Sequence, residues 1–217
     1  MPNGPNGKDR GRVLIAQEAA RILAEEGVRD YLLAKRKAAQ RLGFPANVKL
    51  PRNLEVEDAL RAHQRLFHGE DQSRDLIRLR RSALEAMMFL ARFQPRLVGS
   101  VLVGTAGSTS DVNLHLFADT PEEGALFLMD NGIPFESGER RLRLSAERTH
   151  FFPVYSLAAG GTAVELTVFP LDGLRQPPLS PVHGRPMERA NTRQVQGMLA
   201  DIARQSTNDP TGPFESI

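Results

Sequence analysis

A short segment in the middle of the chain carries residue types suited to phosphate and metal chemistry. Gly99-Ser100 follows an apolar stretch, and after ten intervening residues come Asp111 and Asn113, each followed by an apolar residue. A Gly-Ser turn lets backbone amides approach a phosphate, because glycine has no side chain in the way and serine adds a hydroxyl. The alternation from Asp111 to Asn113 predicts a strand that aims both side chains out of one face, about 6.6 Å apart. Carboxylates so placed, joined by another from a neighbouring strand, can hold divalent metals that bridge a triphosphate and activate a hydroxyl.

These residues resemble the signature of the DNA polymerase beta-like nucleotidyltransferase superfamily. That signature is a hydrophobic residue, Gly-Ser, an intervening segment, and then aspartate-hydrophobic-aspartate-hydrophobic. Gly104 and Ser110 also match what minimal members of the superfamily place between the two halves. The resemblance covers residues 96 to 170, about a third of the chain. It implies that Glu165, which lies between apolar neighbours in a later strand, is a further carboxylate of the site.

The resemblance also implies an activity and a role for each residue. The activity is Mg²⁺-dependent transfer of a nucleotidyl group from a nucleoside triphosphate (NTP) to a hydroxyl of an RNA, a protein or a small molecule. Gly99 and Ser100 would bind the β- and γ-phosphates. Asp111 and Glu165 would be the catalytic residues that bind the metal, with Glu165 assisting the attacking hydroxyl. Asn113 would complete the coordination shell of the nucleotide-bound Mg²⁺.

Asn113 is a departure from the superfamily pattern, which has a second metal-binding aspartate at that place. An amide carbonyl can coordinate a hard cation but brings no charge. Two divalent ions about 4 Å apart would then be poorly neutralised. One interpretation keeps a single Mg²⁺ on Asp111 and Glu165. The alternative is a non-catalytic module that keeps the fold and binds nucleotide or RNA, and a plain interaction protein is a third possibility that the residues leave open.

Clusters of basic residues in the first half suggest a partner that carries phosphate. Basic side chains outnumber acidic ones before residue 99 and are outnumbered after it, although the formal net charge is only +2. The densest groups are Lys35-Arg36-Lys37 and the set Arg78, Arg80 and Arg81. Basic helices of this kind could follow the backbone of an RNA acceptor. Solvated helix faces give the same pattern, so both interpretations stay open.

Three further polar residues lie on predicted strands near the motif. His115 follows Asn113 by two residues and shares its face, so it could contact a phosphate or act as a ligand. Arg141 and Arg143 share one face of a later strand, opposite Leu142 and Leu144. They could meet a triphosphate if that face borders the cleft, although protection of an exposed strand edge by charge is the more ordinary interpretation.

The elements that must position these residues divide the chain into a helical part and a mixed part. We predict an α+β fold in which an N-terminal helical segment, residues 12–94, packs on a small mixed β-sheet nucleotidyltransferase-like domain, residues 95–205. Residues 1–11 and 206–217 are predicted to be flexible tails. Helical periodicity and stop signals predict four helices in the first part, at 13–27, 29–42, 53–67 and from a Ser73 cap onward.

The second part reads as strands with two helices. Predicted strands cover 97–103, 112–116 and 135–144, the last with a turn at Ser137-Gly138, and a hairpin pairs 151–158 with 163–169 around Gly160-Gly161. A capping box predicts a helix at 120–130. Five prolines predict a long loop at 170–186, and a last helix follows at 187–204.

Composition narrows the class of protein. Hydrophobic residues make up 41% and charged residues 25% of the 217 residues, a globular balance, and the absence of cysteine excludes disulfides and thiolate metal sites. No apolar run approaches the roughly 20 residues that a membrane span needs. The N-terminal sequence lacks the apolar centre of a signal peptide, so we expect a cytoplasmic protein with no membrane partner.

Overall fold

The computed structural model describes residues 7–28, 30–67 and 69–207. Over these ranges the chain has an α+β fold, with N-terminal helices preceding a five-stranded mixed sheet, which confirms the predicted fold class. The α-helices are α1 (Gly7–Glu25), α2 (Tyr31–Arg41), α3 (Asn53–Phe67), α4 (Gly69–Phe89), α5 (Gly99–Val103), α6 (Glu122–Asp130) and α7 (Thr192–Thr207). The strands are β1 (Arg96–Val98), β2 (Val112–Ala118), β3 (Glu136–Arg143), β4 (Thr149–Ala159) and β5 (Thr162–Pro170).

The sheet has the strand order β1-β2-β5-β4-β3. β2 and β5 are parallel at its centre, and the other neighbours are antiparallel. Asn113 of β2 lies opposite Val98 of β1 on one side and opposite Glu165 of β5 on the other. The last residue of β1 and the first residues of β2 and β5 therefore lie at the same end of the sheet.

The two faces of the sheet have different cover. One face packs against helices in a large apolar cluster to which α4, α6 and α7 contribute Met87, Leu128 and Val195. The opposite face carries an aromatic cluster of Phe117, Phe152 and Phe169. A separate cluster joins α1, α2 and α3, and its buried members are Ile15, Ala16, Ala19, Ile22, Ala34, Ala38, Ala39 and Val56. α4 lies before the predicted domain boundary at residues 94/95, yet it packs in the same apolar cluster as the sheet that follows the boundary. The boundary between the two predicted parts stays a prediction.

The strand predicted at 97–103 is wrong beyond Val98. Gly99 has a φ of +74°, which is incompatible with a continuing strand, and the apolar residues after it form α5. Gly104, with a φ of +90°, ends this helix and donates its N–H to Ser100 O at 2.8 Å. Apolar runs of this length fit a buried helix as well as a buried strand, and the two glycines decide between them.

Several predicted boundaries also shift. The turn predicted at Ser137-Gly138 is wrong, because β3 runs through it, paired with β4. α4 begins at Gly69 instead of Ser73. α7 begins five residues later than predicted, because Ala190 pairs with Leu97 of β1 before the helix starts. The predicted hairpin of β4 and β5 is confirmed.

The predicted tails are shorter than expected where the structure describes them. Residues 7–11 belong to α1 and residues 206–207 to α7, so these parts of the tails are helical. The remaining tail residues, 1–6 and 208–217, lie outside the described residues, as does Arg29 at the predicted start of the second helix. None of the helices in the described ranges combines the length and the apolar character needed to cross a bilayer.

Candidate functional site

The two halves of the Gly-Ser and Asp-x-Asn motif meet between β1 and β2. Gly99 follows the residue that pairs with Asn113, and a Cβ placed on Gly99 would lie 3.8 Å from both Cβ and Nδ2 of Asn113. The positive φ of Gly99 is tolerated because glycine has no Cβ to clash with the backbone. Ser100 is the second residue of α5, and its carbonyl accepts the N–H groups of Gly104 and Thr105 at 2.8 and 3.0 Å. The turn is therefore fixed at both ends.

Arg140 joins Asn113 to Glu165. Its side chain extends from β3 past β4 to the centre of the sheet. There Nη1 donates to Asn113 Oδ1 at 3.4 Å, and Nη2 donates to Glu165 Oε2 at 2.8 Å. Nη1 also forms an ion pair with Glu165 Oε1. The guanidinium thus lies among the oxygens of the two neighbouring strand residues.

Asp111 lies directly before β2 and is partly buried. Its carbonyl accepts a hydrogen bond from Asn113 Nδ2 at 3.3 Å. The amide of Asn113 is thereby oriented, with its nitrogen toward Asp111 and its oxygen toward Arg140. Gly99, Asn113 and Glu165 lie together at one end of the sheet, and Asp111 lies two residues before Asn113 in the chain.

This donor set does not fit the predicted Mg²⁺ ion. The amide oxygen of Asn113 and the carboxylate of Glu165 are occupied by the guanidinium of Arg140. A divalent ion at the same oxygens would meet a fixed positive charge within a few ångströms, which is repulsive. Over the described ranges, no three or more His, Asp or Glu side chains form a group that could hold a metal. Mg²⁺ binding at Asp111, Asn113 and Glu165 would require Arg140 to leave these oxygens, and it stays a prediction.

His115 is engaged within the fold. Its side chain is only 3% exposed, and its Nδ1 accepts from Nε of Arg189 at 3.0 Å. The pKa of His115 lies well below its usual range because burial disfavours the charged ring, and the cations Arg189 and Arg140 add to the effect. A neutral imidazole that already accepts from an arginine is not available to a phosphate at Nδ1.

Arg189 anchors the Pro-rich loop to the sheet. Its Nη1 donates to Gly173 O at 2.7 Å, and its guanidinium lies 5.0 Å from the ring centroids of both Phe117 and Phe169. Burial lowers the pKa of Arg189 to about 10, with the nearby charge of Arg96 as a further cause. The loop is therefore held on the face of the sheet that carries the candidate site.

Sequence reasoning missed Arg140 and selected its neighbours instead. Arg141 and Arg143 are exposed, whereas Arg140 is partly buried. Leu142 packs against the aromatic cluster, and strand alternation puts Arg140 on the same face as Leu142. The alternation of the strand could therefore have identified Arg140, if the face that carries Leu142 had been predicted to border the site.

The first basic group, Lys35-Arg36-Lys37, is largely used inside the helical part. Lys35 is buried and donates from Nζ to Pro51 O at 3.0 Å and to Asn53 Oδ1 at 2.7 Å, and burial lowers its pKa. Lys37 pairs with Glu26. Arg36 is the exposed member of the group. These contacts therefore do not favour a phosphate-binding surface along α2.

Arg80, from the second basic group, supports the Gly-Ser segment from behind. It donates from Nε to Val101 O at 3.1 Å and from Nη2 to Leu102 O at 3.2 Å, and burial lowers its pKa. These carbonyls belong to α5, which begins at Gly99. Arg80 is therefore a positioning residue of the site rather than a surface cation.

No protein-family model matches the chain, and no curated protein is found to be similar to it. The resemblance to the nucleotidyltransferase superfamily therefore depends on the short motif. The positions of Gly99, Asn113 and Glu165 on β1, β2 and β5 are compatible with it.

Proposed function

We propose that this chain is a nucleotide-binding protein that holds the phosphates of a nucleoside triphosphate beside Gly99 and Arg140 without transferring the nucleotide. The observation that carries the proposal is the contact of the Arg140 guanidinium with Asn113 and Glu165. This contact lies beside Gly99, which has no side chain. This is the non-catalytic alternative that the sequence left open, with an arginine as the cation of the site.

The chemistry of Arg140 suits a phosphate. A guanidinium has five N–H donors in a planar fork, and its contacts with Asn113 and Glu165 leave donors unused. The side chain is 40% exposed, so a ligand can reach it. Glu165 holds the fork in place, and a charge-assisted hydrogen bond to phosphate is stronger than a neutral one. Gly99 lets the phosphate approach the backbone closely.

The same contacts disfavour transfer. Nucleotidyl transfer needs cations that neutralise the phosphate charge and a base or metal that activates the attacking hydroxyl. Glu165 is the residue to which the resemblance gives that task, and its carboxylate is engaged by Arg140 at both oxygens. We therefore expect binding to need no divalent metal.

Mg²⁺-dependent transfer to a hydroxyl acceptor is the second candidate. It is favoured by the direct pairing of Asn113 with Glu165 in the parallel ladder, beside the Gly-Ser turn. It requires Arg140 to leave Glu165 when an NTP and its metal bind.

Calorimetric titration with each of the four ribonucleoside triphosphates distinguishes the two candidates. We expect binding in EDTA at least as tight as in MgCl₂. The R140Q variant should bind about tenfold or more weakly, since a hydrogen bond to a charged group contributes about 1.5–3 kcal/mol. R141Q, which removes the same charge from the exposed face of β3, is the matched control.

A transfer assay completes the test, with labelled NTP, MgCl₂ and a cell extract as the source of acceptors. We expect no labelled product. Binding that appears only with Mg²⁺, together with a labelled product that is lost in Asp111→Ala, would establish the transferase instead. No binding of any NTP in either buffer would refute the proposed function.

A further inference from the structure

A cavity of about 310 Å³ opens along α4, and Arg140 is not among its lining residues. We call it the arginine cavity. Its lining residues are Arg74, Ile77, Arg78, Arg81, Ser82 and Glu85. The three arginines are separated by four and three residues, so they project from one side of the helix. Guanidinium groups in such a row offer several charged hydrogen-bond donors, which suit anions such as phosphate.

The arginines of the cavity are available to a ligand. Arg81 is exposed, and among the described residues it has no hydrogen-bond or ion-pair partner. Arg74 pairs with Asp71, and Arg78 pairs with Asp75 at 3.3 Å. These are solvent-exposed pairs within one helix, and such pairs contribute about 0–1 kcal/mol. A phosphate can therefore replace the aspartates at little cost.

The arginine cavity lies at the same end of the sheet as the candidate nucleotide site. Arg78 donates to Thr162 Oγ1 at 3.4 Å and to Ser108 O at 3.3 Å. Thr162 is the first residue of β5, three residues before Glu165, and Ser108 comes three residues before Asp111. The hydroxyl of Ser82 lies 3.2 Å from that of Thr162. Arg78, the middle member of the row, is thus held against the segments that lead into the site.

The dimensions fit a short stretch of a nucleic-acid strand. Seven residues of α-helix separate Arg74 from Arg81, a rise of about 10 Å. The row is thus long enough to contact more than one phosphate of the same strand. None of the lining residues is aromatic, so the cavity has no platform for base stacking. Binding would come from the phosphates alone, independent of sequence and sensitive to salt.

We propose that the arginine cavity binds the phosphodiester backbone of single-stranded nucleic acid. The proposal goes beyond nucleotide binding at Arg140 and does not depend on it, because the two sites share no residue. Glu85, the carboxylate in the lining, lies one turn beyond Arg81 and marks the end of the row.

Fluorescence anisotropy with a labelled 12-nucleotide RNA of mixed sequence tests this inference. We expect binding whose logarithm falls linearly with the logarithm of salt concentration between 50 and 200 mM KCl. In the R78Q/R81Q double variant we expect affinity to fall about tenfold or more at 50 mM KCl, and the salt slope to decrease by about 1.4, which is about 0.7 for each lost phosphate contact of a single strand. R36Q/R148Q, which removes two exposed arginines elsewhere, should behave like the unaltered protein.

Two further measurements keep the outcome decisive. Thermal melting shows whether R78Q/R81Q is folded, and its titration with ATP should be unchanged, which separates this site from the nucleotide site. No RNA binding at 50 mM KCl, or equal losses in R78Q/R81Q and R36Q/R148Q, would refute the inference. Binding to vesicles containing phosphatidylserine in place of RNA, lost in R78Q/R81Q, would assign the cavity to a lipid surface and also refute it.

Discussion

At the scale of single residues, the protonation of His115 is expected to make the stability of the protein depend on pH. Its neutral ring accepts from Arg189, and burial with two nearby arginines keeps its pKa well below 6.5. In the unfolded chain the ring recovers its ordinary pKa and takes up a proton at a higher pH than in the folded chain. The contribution of His115 to stability is therefore complete above about pH 6.5 and decreases as the pH falls below it.

We predict that the free energy of unfolding decreases from pH 7 to pH 5, by up to about 1.4 kcal/mol per pH unit from this residue. Chemical denaturation at several pH values measures it. The H115Q variant keeps an acceptor for Arg189 but cannot titrate, so its profile should be flatter. H150Q, at an exposed position, is the control and should follow the unaltered protein. Identical profiles for H115Q and the unaltered protein would contradict this explanation.

Gly99 leads to a second prediction at the residue scale. Its φ of +74° disfavours any residue with a Cβ, while the space beside it holds only Asn113 at 3.8 Å. We expect G99A to lower the free energy of unfolding by about 1–2 kcal/mol through backbone strain alone. G107A is the matched control, since a Cβ there meets nothing within 4 Å and its φ is not positive. Urea denaturation measures both, and equal values for the two variants would show that Gly99 is not strained by a side chain.

The residues of the site differ in how far the sequence could place them. Gly99, Asn113 and Glu165 are neighbours because strand pairing alone brings them together, and pairing leaves an apolar and alternating pattern that can be recognised. Arg140 reaches the same point from a strand that is not adjacent, with β4 between. The length and direction of a long side chain leave no such pattern. Arg189, in an irregular segment, left none at all.

At the scale of elements, α3 and α4 hold the loop between α5 and β2 by its carbonyl groups. Gln64 donates to Thr105 O at 2.8 Å, and Gln72 donates to Gly104 O and Ala106 O at 2.9 and 3.1 Å. Arg80 adds its contacts with α5. The end of a helix leaves carbonyl groups without intrahelical partners, and side chains from the preceding helices supply donors for the end of α5. The predicted strand at 97–103 could not reveal this, because the carbonyl groups of a strand accept from a neighbouring strand and not from side chains of preceding helices.

We predict that R80M lowers the free energy of unfolding by about 1–3 kcal/mol, since it keeps the apolar stem but leaves partly buried carbonyls unpaired. R81M, on the exposed part of the same helix, should change stability by less than about 0.5 kcal/mol. Guanidinium denaturation followed by circular dichroism compares the two variants. If R80M were as stable as R81M, the donors from Arg80 would contribute nothing to holding α5.

At the scale of the whole molecule, the described residues contain two apolar clusters that differ in the size of their side chains. The cluster that joins α1, α2 and α3 is built mainly from alanine, whereas the cluster beneath the sheet contains leucine, valine, methionine and phenylalanine. Polar contacts between these parts include Gln64 with Thr105 and Asn53 with Pro181, each at 2.8 Å. Because small side chains bury little apolar area, the first cluster stabilises its helices less per residue.

We therefore predict that α1 and α2 open at a lower free energy than the central strands β2 and β5. Native-state hydrogen exchange measures the opening free energy of each amide, and the amides of α1 and α2 should form a separate, weaker group. I22A, which removes a buried side chain of the first cluster, should lower protection in α1, α2 and α3 by about 2–5 kcal/mol, or abolish it, and leave β2 and β5 nearly unchanged. L166A, in the centre of β5, is the matched control and should lower protection in the sheet. A single opening free energy for all of these amides, shifted equally by I22A and L166A, would show instead that helices and sheet unfold as one cooperative unit, because their polar contacts then couple the two clusters more strongly than their separate cores indicate.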